Sequence, residues 1–202
     1  MANLVCASCG AALEIENQFI RTVTCTFCGS SYLVSGSESL NPMGKGATLA
    51  DYPSRLRVGM TGKIKGKGFH CLGRVRYLYD SGFWEEWQIA WDDGAPPDWL
   101  EEDEGDWVLY RRERVKGAIP PYEQIKVGSS VQVNNYKVFV TEKREGRMAG
   151  SEGQFSSVLP LQGKFGYFQG GADNKSVSIN YWDDEIELSV GEDLDFSDVV
   201  ID

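Results

Sequence analysis

The sequence has one histidine, His70, among its 202 residues, so it lacks the material for most catalytic arrangements centred on histidine. No apolar run approaches the roughly 18 residues that a membrane span requires. The N-terminus, Met1 to Val5, has neither a basic flank nor a long apolar stretch, so no secretory signal is predicted. Basic residues are few: 20 Lys and Arg against 30 Asp and Glu give a net charge of −10, which argues against nucleic acid or an anionic membrane as a partner. We therefore expect a cytoplasmic protein that does not itself span the membrane.

Four of the five cysteines form two Cys-x-x-Cys-Gly units, and fifteen residues lie between Cys9 of the first and Cys25 of the second. These cysteines are Cys6, Cys9, Cys25 and Cys28. A two-residue gap lets both thiolates of a tight turn face one ion, and four such donors suit a tetrahedral Zn²⁺. Residues 1–35 are therefore predicted to form a zinc ribbon that holds one zinc ion. Two disulfides are the main alternative, and the lack of a secretory signal disfavours them.

A site closed by four cysteines has no open coordination position, so this zinc is expected to hold the fold and to do no chemistry. Residues 1–35 carry a single basic residue, Arg21, which cannot neutralise many phosphates. Contact with protein, or simple structural capping, is therefore expected of the ribbon in place of nucleic-acid binding.

The rest of the chain is predicted to be all-β. Residues 36–54 are rich in Gly, Ser and Pro and are interpreted as a linker. Beyond them, short alternating apolar runs are separated by turn sequences, and no stretch of ten or more residues sustains a helical period. The expected architecture is a β body of small barrel or sandwich type, with a first subdomain over 55–117 and a second over 118–202. A faint similarity between their starts leaves open whether they arose by duplication.

An aromatic and acidic segment is the strongest candidate for a binding site in the β body. Its members are Trp84, Glu85, Glu86, Trp87, Trp91, Asp92 and Asp93. Aromatic faces and neighbouring carboxylates both attract cations, so the segment can hold an amine or a basic peptide. Alternate residues of a strand share a face, which places Glu85 with Trp87 and Trp84 with Glu86. The simpler alternative is that the tryptophans belong to the core and the glutamates to its rim.

Charge is distributed unevenly along the β body. Residues 55–76 hold seven Lys and Arg and no carboxylate, whereas 92–106 hold eight carboxylates and no base. Residues 183–202 hold nine more carboxylates. Two interpretations stay open. Basic and acidic strands can face one another, with the C-terminal segment solvated, or an acidic patch can dock a basic partner.

Several motifs resemble a bacterial family described as a domain of unknown function. These are Gly73-Arg74-Val75-x-Tyr77-x-Tyr79, Gly82-x-Trp84-x-Glu86-Trp87, Asp93-Gly94 followed by Trp99-Leu100, Ser151-Glu152-Gly153-Gln154-Phe155, and Tyr181-x-Asp183-Asp184-Glu185. The resemblance covers roughly residues 56–196, and a cysteine ribbon in front of the domain is a familiar arrangement in this family. It implies genes near phage-shock-type membrane-stress proteins, small membrane proteins and spermidine-synthase-like enzymes. It implies no catalytic residues.

The sequence thus predicts a non-catalytic, zinc-containing adaptor protein, accessory to a bacterial envelope- or membrane-stress system. Its expected partner is a protein, and the resemblance implies a membrane-associated one, through which this chain would lie at the inner membrane. The alternative is a sensor of a small ligand, such as a polyamine or a basic peptide, that uses the Trp84–Trp91 segment. No enzyme is predicted, because the sequence shows neither a serine nucleophile in a suitable context nor a paired-carboxylate site.

Overall fold

The computed structural model describes residues 3–35, 39–47, 49–51, 53–161, 163–183 and 185–202. A few residues named in the sequence analysis lie outside this range: Met1, Asp184 and parts of the interpreted linker. Apart from two short 3₁₀ turns, each regular element in the described residues is a β-strand. The predicted all-β class is therefore confirmed. Within the described part of the chain, no helix has the length and apolar character needed to cross a membrane.

The N-terminal ribbon consists of five short strands. They are β1 (Asn3–Val5), β2 (Ala12–Glu14), β3 (Thr22–Thr24), β4 (Ser30–Ser35) and β5 (Ser39–Lys45). β1 and β2 pair as an antiparallel hairpin that forms one sheet, and β3, β4 and β5 pair antiparallel within a second sheet that continues into the β body. Leu13 from the first sheet packs with Val23 and Tyr32 from the second in one apolar cluster. Residues 39–45, which lie in the range interpreted as a linker, thus form the fifth strand of the ribbon and pair with β4.

The β body contains eleven further strands, all paired antiparallel. They are β6 (Thr61–Ile64), β7 (Lys67–Tyr79), β8 (Gly82–Trp91), β9 (Asp98–Asp103), β10 (Asp106–Glu113), β11 (Ser130–Val133), β12 (Tyr136–Phe155), β13 (Lys164–Ala172), β14 (Lys175–Tyr181), β15 (Ile186–Leu194) and β16 (Val199–Ile201). The two 3₁₀ turns span Tyr122–Gln124 and Phe196–Asp198.

Eight of these strands close into a barrel. Their spatial order is β7, β8, β9, β10, β15, β14, β13 and β12, and the pairing of β12 with β7 completes the ring. Four of the strands come from residues 55–117 and four from 118–202, so both predicted subdomains contribute to one closed sheet. Closure means that none of the eight presents a free edge for pairing with another chain.

Strand β12 connects the barrel to the ribbon. At 20 residues it is long enough to pair with β11 and β13 along its first part, then with β7 and finally with β3. Gly153 makes this crowded junction feasible: its φ is +89°, and a Cβ there would collide with the carbonyl oxygen of Leu72. Two side-chain contacts reinforce the junction. Gln154 Nε2 donates to the Glu14 carbonyl oxygen at 3.0 Å, and His70 Nδ1 lies 3.2 Å from Glu16.

The alternation of side chains divides the apolar residues of the barrel between its two faces. The inward-facing cluster is dominated by aromatic rings, including Tyr77, Trp84, Trp99, Tyr110, Phe165 and Tyr167. One outer cluster packs Trp87, Trp91 and Leu100 against Leu56, Ile64 and Val199. The other packs strands β12 to β15 against Ile125 and Val131. The two faces of β8 and β9 therefore lie in different surroundings, which decides what their acidic residues can do.

Candidate metal centre and cation-binding faces

The four ribbon cysteines come together at one point. The ligand atoms of Cys6, Cys9, Cys25 and Cys28 all lie within 4.8 Å of one another, and none of these residues forms a disulfide. In each unit the N–H of the following glycine donates to the carbonyl oxygen of the first cysteine at 2.8 Å. These glycines, Gly10 and Gly29, have φ values of 77° and 73°, which a residue with a side chain rarely adopts. The cluster can hold a metal ion, as the spacing predicted.

The chemistry of the four donors fits a bound cation. The Tyr32 hydroxyl, 3.2 Å from Cys6 Sγ, is the main cause that lowers the pKa of the Cys6 thiol to about 6. The pKa of Cys9 is instead raised to about 12: its backbone hydrogen bond with Ala11 lowers it, but burial and the neighbouring thiols outweigh that bond. Four thiolates this close repel one another unless a cation lies between them. Deprotonated cysteine is also the form that binds zinc.

A second grouping of charged residues follows from the register of β8 and β9. Glu85 lies directly opposite Glu102, and Glu86 lies directly opposite Glu101. Like charges in these positions destabilise a sheet unless something offsets them. Since successive residues point to opposite faces, one pair lies on the outside of the barrel and the other on the inside.

The two glutamates of the outer pair, Glu85 and Glu102, have different hydrogen-bond partners. Glu85 is 2% exposed and accepts hydrogen bonds from Arg76 Nε at 2.9 Å and Arg74 Nη1 at 3.3 Å. Glu102 instead accepts from two neutral groups, Trp87 Nε1 at 3.1 Å and Ser54 Oγ at 2.6 Å. The charge of Glu85 is therefore offset, whereas that of Glu102 has no basic partner within ion-pair distance in the described residues.

A groove of about 580 Å³ opens beside this outer pair, and we call it the outer groove. Its wall contains three carboxylates, those of Glu85, Glu102 and Glu104, and two aromatic rings, those of Tyr79 and Phe83. The turn between β9 and β10 presents Glu104 with a φ of 50°, and its side chain is exposed. Carboxylates and ring faces in one concave surface are the features that bind an organic cation.

The inner pair, Glu86 and Glu101, has longer hydrogen bonds, all from neutral side chains. Trp84 Nε1 donates to Glu86 at 3.4 Å, and Gln169 Nε2 lies 3.3 Å from both carboxylate oxygens of Glu101. Burial is the main cause that raises the pKa of Glu86 to about 7 and that of Glu101 to about 8, and the charge of Glu86 raises that of Glu101 further. The charge of Arg112 lowers the pKa of Glu86, but Arg112 is bonded to Glu187 at 2.8 Å, and the charge of Glu187 raises that pKa.

The structure distributes the seven sequence-predicted residues among three places. Trp84 and Glu86 lie inside the barrel, whereas Glu85 and the two remaining tryptophans lie on its outer side. Trp87 and Trp91 pack in the outer apolar cluster, where Trp91 Nε1 donates to Asp98 at 2.9 Å. Asp92 and Asp93 follow the strand in a turn, and Asp93 forms an ion pair with Lys67 at 3.1 Å.

Residues outside the predicted segment complete both faces. They are Glu101, Glu102 and Glu104 from the β9 hairpin, Tyr79 from β7, and the inward-facing Tyr77 and Tyr110. The sequence signal for the three glutamates is present, since they belong to the acidic run 92–106. Which of them meets Glu85 and which meets Glu86 depends on strand register, and a single sequence does not fix that register.

The fold and the cysteine cluster define a protein with a four-cysteine ribbon, able to hold a metal ion, in front of a closed β barrel. Residues 57–196 match the family described as Domain of unknown function (DUF4178), and the chain belongs to that family. This agrees with the resemblance seen in the motifs. Neither the curated proteins nor the solved structures include a significant match to the chain.

Proposed function

We propose that the protein is a non-catalytic adaptor that captures a positively charged segment of a protein partner in its outer groove. The observation that carries this proposal is the convergence of Glu102 and Glu104 with the rings of Tyr79 and Phe83 around one cavity. A lysine or arginine of the partner would place its charge beside the two carboxylates and its aliphatic stem against the rings.

The distribution of ion pairs supports the choice of this surface. Within the acidic run 92–106, Asp93 and Asp98 are already bonded to Lys67 and Arg111. Neither Glu102 nor Glu104 has a basic partner within ion-pair distance among the described residues. A partner that supplies the missing positive charge would find these two carboxylates available at the end of the barrel.

We further propose that Cys6, Cys9, Cys25 and Cys28 bind one zinc ion with a structural role. The support is the set of four closely spaced thiol donors and the two glycine-closed turns that present them. Bound zinc would fix the two sheets of the ribbon against each other. Because β3 also pairs with β12, the metal would stabilise the ribbon where it meets the barrel.

A small-ligand sensor is the second candidate, because the outer groove would also accept a free amine. A partner protein and a free amine would present the same ammonium or guanidinium group to the groove. They differ in that a partner protein would also contact the surface around it. The volume of about 580 Å³ suffices for a small molecule. A free amine is therefore expected to compete with the protein partner for the groove.

The test is affinity capture from lysate of the native host, with and without membrane solubilisation, since the family resemblance implies a membrane-associated partner. The bait proteins are the wild type, the double variant Glu102→Gln/Glu104→Gln, and Glu101→Gln as a control on the inner face of the same strand. We expect the wild type and Glu101→Gln to capture a specific protein that the double variant does not capture. A lysine-rich peptide should displace this protein from the wild type.

Two results would contradict the adaptor. Equal capture by the double variant would exclude the outer groove as the docking surface. Recovery of no specific protein, together with saturable binding of n-butylamine that the double variant loses, would favour the small-ligand sensor.

A further inference from the structure

The inner pair of glutamates has no role in the outer groove. Glu86 and Glu101 face each other inside the barrel, and no Lys or Arg of the described residues lies within ion-pair distance of either. Their only side-chain hydrogen bonds, at 3.3 to 3.4 Å, come from neutral donors. An unpaired carboxyl is expensive to bury, so two of them at one place call for an explanation.

Two tyrosine hydroxyls beside this pair also lack partners. Tyr77 and Tyr110 are 1% and 5% exposed, and neither hydroxyl makes a hydrogen bond within the described residues. Burial is the main cause that raises the pKa of each phenol well above its usual value, with further contributions from Glu86 on Tyr77 and from Glu101 and Glu86 on Tyr110. Each phenol oxygen is therefore available to bond a group that enters beside the two carboxyls.

Solvent contacts both glutamates of the inner pair. Glu101 keeps 8% of its surface exposed, and Glu86 is only half-buried. Asp103 lies two residues further along the same face of β9, at the turn that ends the barrel, and is partly exposed. Its buried Oδ1 atom has no hydrogen bond. Asp103 therefore continues the acidic inner face of β9 toward the end of the barrel.

The donor set suits an organic cation better than a metal ion. Within the described residues, only the four ribbon cysteines bring three or more potential ligands close enough together for one ion. The walls beside Glu86 are aromatic: the ring centroids of Trp84 lie 5.1 Å from Tyr77 and 5.2 Å from Tyr167. Ring faces attract ammonium groups and pack against alkyl chains.

We propose that the barrel interior binds a primary alkylamine, with its ammonium group between Glu86 and Glu101. The ammonium would donate hydrogen bonds to the two carboxylates and to the free phenol oxygens of Tyr77 and Tyr110. Its alkyl chain would lie against Trp84 and Tyr167. This site is on the opposite face of β8 and β9 from the outer groove, so it stands or falls independently of the proposed adaptor function.

Binding is coupled to release of a proton. At neutral pH Glu101 is mostly protonated, so an arriving ammonium ion stabilises its carboxylate form and the carboxyl proton passes to the buffer. The charged groups that face the pair from other strands are Arg112 on β10, Glu187 on β15, and Glu142 on β12. Asp103 faces it from β9 itself. Arg112 is bonded to Glu187, which limits its repulsion of the ligand.

The test is isothermal titration calorimetry of the full chain with n-butylamine at neutral pH, in two buffers of different ionisation enthalpy. We expect saturable binding with a buffer-dependent heat that reports proton release. Glu101→Gln should weaken binding at least about tenfold, and Tyr110→Phe, which keeps the ring, by about threefold or more. Glu192→Gln, which removes an exposed carboxylate paired with Lys65, should leave the affinity within about twofold, and Glu102→Gln is titrated to detect any binding in the outer groove.

Three outcomes would overturn the inner site. The first is no binding of n-butylamine by the folded wild type. The second is binding that Glu101→Gln and Tyr110→Phe both leave unchanged. The third is binding lost in Glu102→Gln alone, which would place the amine in the outer groove. Calcium chloride, titrated as a comparison, should give no heat that depends on Glu101; a calcium signal abolished by Glu101→Gln would replace the amine with a metal ion.

Discussion

Glu86 and Glu101 lie directly opposite each other across the β8–β9 ladder, with both carboxyl groups inside the barrel. One position away on each strand, Glu85 and Glu102 repeat the arrangement on the outside. The outer pair is served by two arginines and by Trp87 and Ser54, whereas the inner pair has only weak neutral donors. The same two strands thus present an outer pair in which Glu85 has two basic partners, and an inner pair in which neither acid has one among the residues that the structure describes.

The inner pair makes stability depend on pH. Folding raises the pKa of Glu86 from 4.5 to about 7 and that of Glu101 from 4.5 to about 8, so the folded state binds protons more tightly than the unfolded chain. This contribution is fully present below pH 4.5 and is lost as the pH rises through about 7 and about 8. Glu101→Gln removes the titrating group. We expect the melting temperature of Glu101→Gln, relative to that of the wild type at the same pH, to rise by at least about 2 °C between pH 6 and pH 9.

Differential scanning calorimetry across that range checks the prediction. Glu102→Gln is the matched control, because its carboxylate accepts hydrogen bonds from Trp87 and Ser54 and is expected to bring no such gain. A difference between Glu101→Gln and the wild type that stays constant with pH would show that the inner pair does not titrate as described.

The outer arginine cluster should contribute strongly to stability. Arg74, Arg76 and Glu85 have side chains no more than 10% exposed, and Glu85 is bonded to both arginines. Glu85→Gln leaves buried guanidinium groups without that carboxylate, and we expect a loss of about 3 kcal/mol in the free energy of unfolding by urea. Glu192→Gln, which breaks the exposed pair with Lys65, should cost less than about 1 kcal/mol. Equal losses in the two variants would contradict this account.

Metal analysis tests the cysteine cluster. Purified protein should contain about one zinc ion per chain, and Cys25→Ser should lose it, because three thiolates and a hydroxyl bind zinc far less well. Cys71→Ala is the control: Cys71 is fully buried in the outer apolar cluster, away from the other four, and its loss should leave the zinc content unchanged. A metal-free wild type, or full zinc retention in Cys25→Ser, would rule out the assigned site.

Two adjacent glycines of β13 should respond differently to alanine. A Cβ at Gly170 would collide with the carbonyl oxygen of Phe139 on the neighbouring strand, whereas one at Gly171 would meet no atom within 4 Å. We expect Gly170→Ala to cost about 2 kcal/mol or more in urea unfolding and Gly171→Ala less than about 0.5 kcal/mol. Equal tolerance of both substitutions would mean that β12 and β13 are not packed as closely as described.

The sequence predicted the local features well. Two cysteine units at a fixed spacing gave the metal cluster, since the chemistry of a turn with two thiolates depends on few neighbours. Alternation of apolar residues gave the all-β class. The sequence did not give barrel closure, because that depends on β12 pairing with β7, some 75 residues away, and no local signal encodes such a pairing.

The sequence predicted the β8 residues of the candidate site but not their partners on other strands. The segment from Trp84 to Trp91 was singled out by composition, and strand alternation separated Glu85 from Glu86. Their partners on β9 depend on the register of the two strands. Closure of the barrel places Glu86 and Glu101 on its inner face. The hydroxyls of Tyr77 and Tyr110 gave no sequence signal, because isolated tyrosines in strands are most often simple core residues.

The central claim is that the outer groove binds a cationic segment, and fluorescence anisotropy with a labelled lysine-rich peptide tests it most directly. The account predicts saturable binding that weakens with salt, falls at least about fivefold in Glu102→Gln/Glu104→Gln, and is retained in Glu101→Gln. Equal binding of a peptide in which glutamate replaces lysine, or equal affinity in the double variant, would contradict it.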